Sequence, residues 1–514
     1  MKILKYIRAY DIIYLVKGGL DYMPKLIMKI TLIIAMFVYI LAISPIVLQN
    51  DTFFDIALGK EYTENGIHEI DNFSIHEGLS YHAQHLIVNL IIYNIHNTFN
   101  FLGLYVFEII LTCVIALLFY LVNCRFTKNK ALSYILVYLE LLMFSPFISL
   151  RAQMFSTIIF LIEILLINKL LYGNLSKKHN NYVIVILTLL PVLLINLHSG
   201  VVAFYYIILG VYLTNLLKIH IIRIENDSNI DSKLLQKLFI PLLLSLPLLL
   251  LNPFGVEGIT YMPKTLGNSF INANIVEFQP FSIKATSGLI ISIYFAIHFA
   301  TLILSDRKIK IYELLFFIGT MFMTLLSLRH FIFYIITTLV LIPHIENVTY
   351  KAKKWLYNGL NEKGPKVMTA TTYIVTAFVI FTISISCLSE KTYEFIPKDE
   401  YPVGAVEFIK ENIGYDKGIF NEYAWGSYLM LNNIKVFIDS RCDLYTKEYN
   451  KDVTVAEDYM KTLNCRVDYD ETVDKYKIKY FLISEERPLF VMLSKDNNYE
   501  IIYQDSTASI FRKK

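Results

Sequence analysis

The chain has 514 residues, 55% of them hydrophobic and 18% charged, with a formal net charge of +3 and a mean hydropathy of +0.49. Those values lie outside the range of soluble enzymes and inside that of polytopic membrane proteins. No basic aromatic patch points to nucleic acid. The five cysteines (Cys113, Cys124, Cys387, Cys442, Cys465) have neither metal-ligand spacing nor the density of a disulfide framework.

Residues 1–26 carry Lys5, Arg8, Lys17 and Lys25 but no small-residue cleavage site, so they read as a cytoplasmic, interfacial lead-in. A membrane span needs about 20 mostly apolar residues. By that measure spans are expected near 27–48, 101–123, 131–149, 154–172, 182–197, 201–217, 237–252, 286–305, 311–328, 330–346 and 367–388. That makes about eleven, and a polytopic α-helical membrane domain over 27–388 whose first outer loop covers 49–100. The segment 83–96 (AQHLIVNLIIYNIH) is too short and too polar to span and reads as an interfacial helix. Residues 389–514 differ in kind: dense charge, β-like runs (IKVFIDS, KYFLIS, YEIIYQD, ASIFRK) and helical stretches such as VGAVEFIKENI. They predict a separate soluble α/β domain. Only Cys442 and Cys465 share it, which leaves one bridge open.

Charge placement orients this plan, because cytoplasmic loops collect Lys and Arg. With the N-terminus inside, the inner loops hold Arg125/Lys128/Lys130, Lys177/Lys178, Arg223/Lys233/Lys237, Arg307/Lys308/Lys310 and Lys351/Lys353/Lys354/Lys363/Lys366. The outer side keeps only Lys60, Arg151, Lys264, Lys284 and Arg329 before the last span. The first loop and the tail are therefore expected outside.

The first loop, 51–85, holds seven carboxylates (Asp51, Asp55, Glu61, Glu64, Glu69, Asp71, Glu77), four histidines and one lysine. A plain connector needs none of these. Further polar residues recur at outer span ends: Arg151 and Gln153 in SLRAQMFS, Asn196 and His198 in INLHSG, Glu277 in NIVEFQP, Arg329 in SLRHFIF. Charges at membrane depth are costly and face a cavity or a partner. An isolated outer arginine has two readings, a structural ion pair with Glu277 or Asp51, or a ligand site for an anion. Transfer of a sugar from a lipid phosphate to a hydroxyl suits the whole set. It passes through an oxocarbenium-like state, needs a carboxylate to take the acceptor proton, and needs a cation on the departing phosphate, which Arg supplies through its planar fork. A divalent metal on oxygen ligands could replace or assist the arginines.

Asp51 directly after the first span, then DTFFDIALG, GIHEIDNFS and the histidine of YHAQHL, resembles the first outer loop of bacterial membrane proteins with the GT-C glycosyltransferase fold. The likeness is to a group from Firmicutes related in plan to the RgtA/B/C/D-like and ArnT/PMT-like enzymes. RAQMFS, NLHSG, NPFG, EFQP and SLRHF continue it, as do PVGAVEFIKEN, GIFNEYAWGSYLML and KVFIDSRCDLY in the tail. The chain departs from that group at Leu86, where a Trp is usual, and at His68, where a proline often stands. The resemblance implies a bacterial plasma-membrane enzyme with a polyprenyl-phosphate-linked sugar donor and a glycan, lipid or protein acceptor. It makes Asp51 the catalytic carboxylate. Asp55, Asp71, His85, Arg151, Gln153, His198, Glu277 and Arg329 are expected to bind substrate around it. In the tail, Trp425, Asp439 and Arg441 have two readings: a sugar-binding surface, or an Asp439–Arg441 ion pair with Trp425 in the domain core. The alternative to an enzyme is a non-catalytic protein that binds or transports lipid-linked glycans, which would place polar residues at mid-span on broken helices.

Overall fold

The computed structural model describes residues 25–217, 219–266, 268–356, 375, 378–391 and 394–514. Residues 1–24 of the expected lead-in, and much of the expected span 367–388, lie outside the described residues. Six helical stretches are long and apolar enough to cross a membrane: Leu86–Phe126, Lys130–Phe147, Ala152–Tyr172, Lys177–Leu216, Thr286–Leu304 and Leu328–Trp355. Lys29–Ile43, Ile311–Leu326 and Phe378–Ser389 are shorter apolar helices. The count of eleven does not follow from this. Lys177–Leu216 contains two of the expected spans, with a break at His198 (φ −163°, ψ 77°), and the expected span 237–252 holds only the helix Phe239–Leu248.

Apart from the charged end of Leu328–Trp355, these helices are largely apolar on every side, as lipid-facing helices are. On Leu86–Phe126, Ile115, Phe119 and Val122 are buried while Ile110, Leu117 and Leu121 are exposed. Pro191 lies inside the helix Lys177–His198 and has no amide to offer the Leu187 carbonyl. The Tyr205 hydroxyl donates to that carbonyl at 2.5 Å and so restores the missing bond. Three carboxyl side chains, Glu108, Glu140 and Glu163, are buried within helices of spanning length. Asn123 donates to Glu140 at 3.0 Å, whereas neither Glu163 oxygen has a hydrogen-bond partner among the described residues. The span interiors are thus less uniformly apolar than the sequence suggests.

The acidic stretch after the first span is not an open loop. Residues Asn50–Asn65 form a helix in which every side chain from Thr52 to Leu58 is buried. It crosses Leu86–Phe126 so closely that a Cβ on Gly59 would collide with the Asn89 carbonyl oxygen. The helix Leu86–Phe126 in turn breaks at Asn100, whose φ is +53°. That break separates the expected interfacial helix from the expected span at 101.

The tail folds around a four-stranded sheet. Ile419–Asn421 runs parallel to Tyr480–Ile483, which pairs antiparallel with Ser509–Lys513, and that with Tyr499–Gln504. IKVFIDS makes only an isolated parallel bridge, from Val436 to Ser74 of the first loop. The bridge carries bonds from the Ile75 amide to the Val436 carbonyl (2.9 Å) and from the Val436 amide to the Phe73 carbonyl (3.0 Å). Phe53 packs edge-on against Tyr401 and Tyr428 of the tail at 5.1 and 5.5 Å. Loop and tail therefore share one hydrophobic core, distinct from that of the membrane helices. Each aromatic ring fully buried in it contributes roughly 1.5–3 kcal/mol. Cys442 and Cys465 are both free.

Candidate active site

Where this shared core meets the ends of the long helices lies a polar cavity of about 410 Å³. Asp51 enters it from the first turn of Asn50–Asn65, a place that favours a carboxylate through the helix dipole. Arg151 comes from the residue before the helix Ala152–Tyr172, Glu277 from the turn Val276–Phe278, and Arg329 from the turn Leu328–His330. Asp55, His85, Gln153 and His198 also line it.

Arg151 is the hub. Its guanidinium pairs with Asp51, and its Nη1 lies 2.9 Å from the Glu277 carboxylate and 3.4 Å from the Gln49 side-chain oxygen. Burial alone would raise the Glu277 carboxyl, but the charge and hydrogen bond of Arg151, with the charge of Arg329 added, outweigh it and hold it below the usual range. The structure thus shows the ion-pair reading of Arg151 with both carboxylates at once. Arg329 is different. Among the described residues it makes neither ion pair nor hydrogen bond, and its guanidinium lies over the Phe278 ring, 4.4 Å from the centroid. That is a cation–π seat that leaves its N–H fork open.

Asp55 is 1% exposed and accepts the Asn89 amide at 2.6 Å, with His85 Nδ1 at 3.2 Å. His198 Nδ1 meets the Ser156 hydroxyl at 3.1 Å. Sequence reasoning missed Gln84, Tyr261 and Tyr423, which line the cavity together with Asp443 of the tail cluster. Gln84 is bonded to Tyr261 and lies 3.3 Å from Asp443, and burial pushes the Asp443 carboxyl up to about 6. Asp443 stands within FIDSRCDLY, two residues after Arg441, so the tail motif was the available signal.

Four of the expected substrate contacts are buried, and for Asp439, Arg441 and Trp425 the arrangement is the ion-pair and core reading. Arg441 and both its carboxylate partners have side chains at most 1% exposed. Arg441 donates to Asp439 through Nε (2.9 Å) and Nη2 (2.7 Å), and to Asp71 through Nη1 (2.7 Å). The Tyr445 hydroxyl donates to Asp439 as well. Trp425 is buried and its indole N–H bonds the Glu400 carbonyl at 3.0 Å. Asp71, Asp439 and Arg441 therefore lock the loop to the tail at the edge of the cavity, which Arg441 borders, and Trp425 packs within the tail; these side chains are buried and engaged with protein partners.

A second, largely apolar groove of about 920 Å³ opens beside the cavity. Leu142, Phe147, Phe204, Ile291 and Phe331 line it, and Arg151, Gln153, His198, Glu277, Phe278 and Arg329 border both spaces. Arg329 thus stands at the junction of a polar and an apolar compartment.

A divalent cation would need several free oxygen ligands. Asp51 and Glu277 are both held by Arg151 and Asp55 by Asn89 and His85. Among the described residues no group of three His, Cys, Asp or Glu side chains is placed to hold a metal ion. The donor set does not fit one.

No family model matches the chain, and no curated protein matches it. Solved structures do. The archaeal oligosaccharyltransferase AglB from Archaeoglobus fulgidus, in complex with an inhibitory peptide and a dolichol-phosphate, superposes with a TM-score of 0.62 at 11% identity, covering 88% of this chain and 68% of that one. The A. fulgidus oligosaccharyltransferase tethered to an acceptor peptide containing the NVT sequon gives 0.61 at 12%, with the same coverage. Its complex with Zn and sulfate gives 0.57 at 13%, covering 88% and 67%. At this identity the likeness is one of fold: the chain has the GT-C fold of these oligosaccharyltransferases.

Proposed function

We propose that this protein is a membrane glycosyltransferase that moves a sugar from a polyprenyl-phosphate-linked donor to a cell-envelope acceptor on the outer face of the bacterial plasma membrane. The observation that carries the proposal is the placement of Arg329, an unpaired guanidinium where a charged cavity opens onto an apolar groove. A lipid phosphate has the same division, a long apolar chain joined to a compact anion. In this reading the chain lies in the groove, the phosphate meets the Arg329 fork, and the anomeric carbon faces Asp51. Asp51 orients the acceptor from the opposite side, held in place by Arg151, which Glu277 steadies in turn. His198 and Gln153 line the sugar pocket between them. The fold shared with an oligosaccharyltransferase bound to a dolichol-phosphate supports this choice of donor class. The positive-inside distribution of Lys and Arg supports an extracytoplasmic site and tail.

The test is direct. Purified protein is incubated with defined polyprenyl-phosphate sugars, and donor consumption is followed. Asp51→Asn is expected to abolish transfer with detergent melting nearly unchanged. Arg329→Ala is expected to cut turnover about 10²- to 10³-fold. Full activity in either variant would remove that residue from the mechanism, and lack of donor consumption by the wild type would remove the mechanism itself.

A further inference from the structure

Two histidines face the cavity near Asp51, with ring centroids 6.1 Å apart, and they are wired differently. His198 meets a neutral hydroxyl, that of Ser156. His85 Nδ1 instead faces Asp55, a carboxylate that is 1% exposed and fixed from its other side by Asn89. His85 Nε2 has no hydrogen-bond partner among the described residues, and the ring lines the cavity. A buried carboxylate on Nδ1–H fixes the tautomer that leaves a lone pair on Nε2, and it stabilises the imidazolium formed when that nitrogen takes a proton. Asp51 is less available, because one of its oxygens is committed to the Arg151 guanidinium.

We propose that His85 is the catalytic base that deprotonates the acceptor hydroxyl, with Asp55 as its positioning residue, while the Asp51–Arg151 pair orients that hydroxyl. The assignment rests on the glycosyl-transfer reading above and names the proton's destination within it. The step balances. The acceptor oxygen bonds to the anomeric carbon, the bond from that carbon to the phosphate oxygen breaks, and its electron pair stays on the lipid phosphate against Arg329. The acceptor proton moves to His85 Nε2 and leaves later to solvent. The surroundings of Asp55 match this role. Burial lifts its carboxyl above the usual range, although the hydrogen bond and charge of His85 pull it down, as does Arg151. The charged and titratable groups around the ring are Asp55 and Asp51 from its own loop, Arg151, His198 from the long helix, and Asp443 from the tail.

The experiment follows donor consumption by full-length protein in detergent, with polyprenyl-phosphate glucose as donor and octyl glucoside as acceptor, across pH 5–9. His85→Gln is expected to lose about 10²- to 10⁴-fold in kcat with the donor KM unchanged, and added imidazole is expected to restore part of the activity of His85→Ala. Asp55→Asn is expected to shift the acid limb of the pH profile, which a merely structural role would leave in place. The ¹⁵N spectrum of histidine-labelled Asp55→Asn protein, compared with wild type, reads the His85 tautomer without requiring turnover. A switch of the N–H from Nδ1 to Nε2 is expected. Wild-type consumption matched by His85→Gln at every pH, or an unchanged tautomer in Asp55→Asn, overturns this assignment alone. No consumption by the wild type overturns the glycosyl-transfer reading and this inference with it.

Discussion

Replacing Arg441 by Met should destabilise the protein more than any single change in the cavity. The substitution keeps much of the side-chain volume but removes the one cation shared by Asp71 and Asp439, whose side chains are fully buried. Breaking a buried ion pair costs about 3–5 kcal/mol, and two stranded carboxylates would double that if nothing else met them. Other donors remain, however. Asp439 keeps the Arg441 backbone amide at 2.9 Å and the Tyr445 hydroxyl, and Asp71 keeps the Ser74 and Phe73 amides at 3.0 and 3.4 Å. The expected loss is therefore about 3–5 kcal/mol in all, a large share of the 5–15 kcal/mol that holds a typical domain folded. Thermal and denaturant unfolding in detergent measures it, and adding Asp71→Asn and Asp439→Asn to the same chain should recover most of the loss. The pH response has a definite sign. Burial would raise the Asp71 carboxyl, but the charge of Arg441 outweighs it and holds it below the usual range. Its contribution is thus present above the unfolded value, about 3.9, and is lost as pH falls through the folded one. Unfolding of Arg441→Met within about 1 kcal/mol of the wild type, against the 3–5 expected for a broken buried pair, would refute the argument.

Two further outcomes are expected. Transfer should persist in EDTA, because Arg151 already sits between the two carboxylates a cation would bridge. Activity lost in chelator and restored by a divalent metal would contradict that arrangement. Asp443, lifted to about 6 by burial, disfavours its ionised form in the folded state, so its effect is absent below about pH 4 and grows as pH rises to about 6. A lift of that size is worth at most about 3 kcal/mol. Asp443→Asn should therefore gain stability relative to wild type between those pH values, and parallel unfolding curves would exclude it.

Much of the membrane part is legible because its signal is local. A run such as Ala152–Tyr172 declares itself by apolar length, and Ile311–Leu326 lies within its expected bounds. In the tail, KYFLIS, YEIIYQD and ASIFRK all contain strands. The helix Asn50–Asn65 escapes the same reading. Buried between Leu86–Phe126 and the tail, it shows neither a one-sided apolar stripe nor enough length to span. Its carboxylates drew attention to it as polar, yet Asp55 is polar and buried at once. The tail triad was legible only in part. Asp439 and Arg441 are neighbours in sequence, and their pairing was foreseeable, but the carboxylate completing the group is Asp71, 370 residues away. Nothing in either segment alone announces that contact. Arg329 shows the reverse case, since its isolation between two apolar runs, away from the Lys- and Arg-rich loops, was visible in the sequence.

The shared core has a consequence for the order in which the protein comes to life. A ribosome delivers Asp71 long before Arg441, and every long helix is made between the two. A nascent chain that has threaded all its spans still lacks Val436 to pair with Ser74, Tyr401 and Tyr428 to cover Phe53, and Asp443 to close the cavity. The cavity is finished only when the last quarter of the chain has folded back onto the first hundred residues. Synthesis itself thus acts as a timer, and a chain stopped short inserts without acquiring a site.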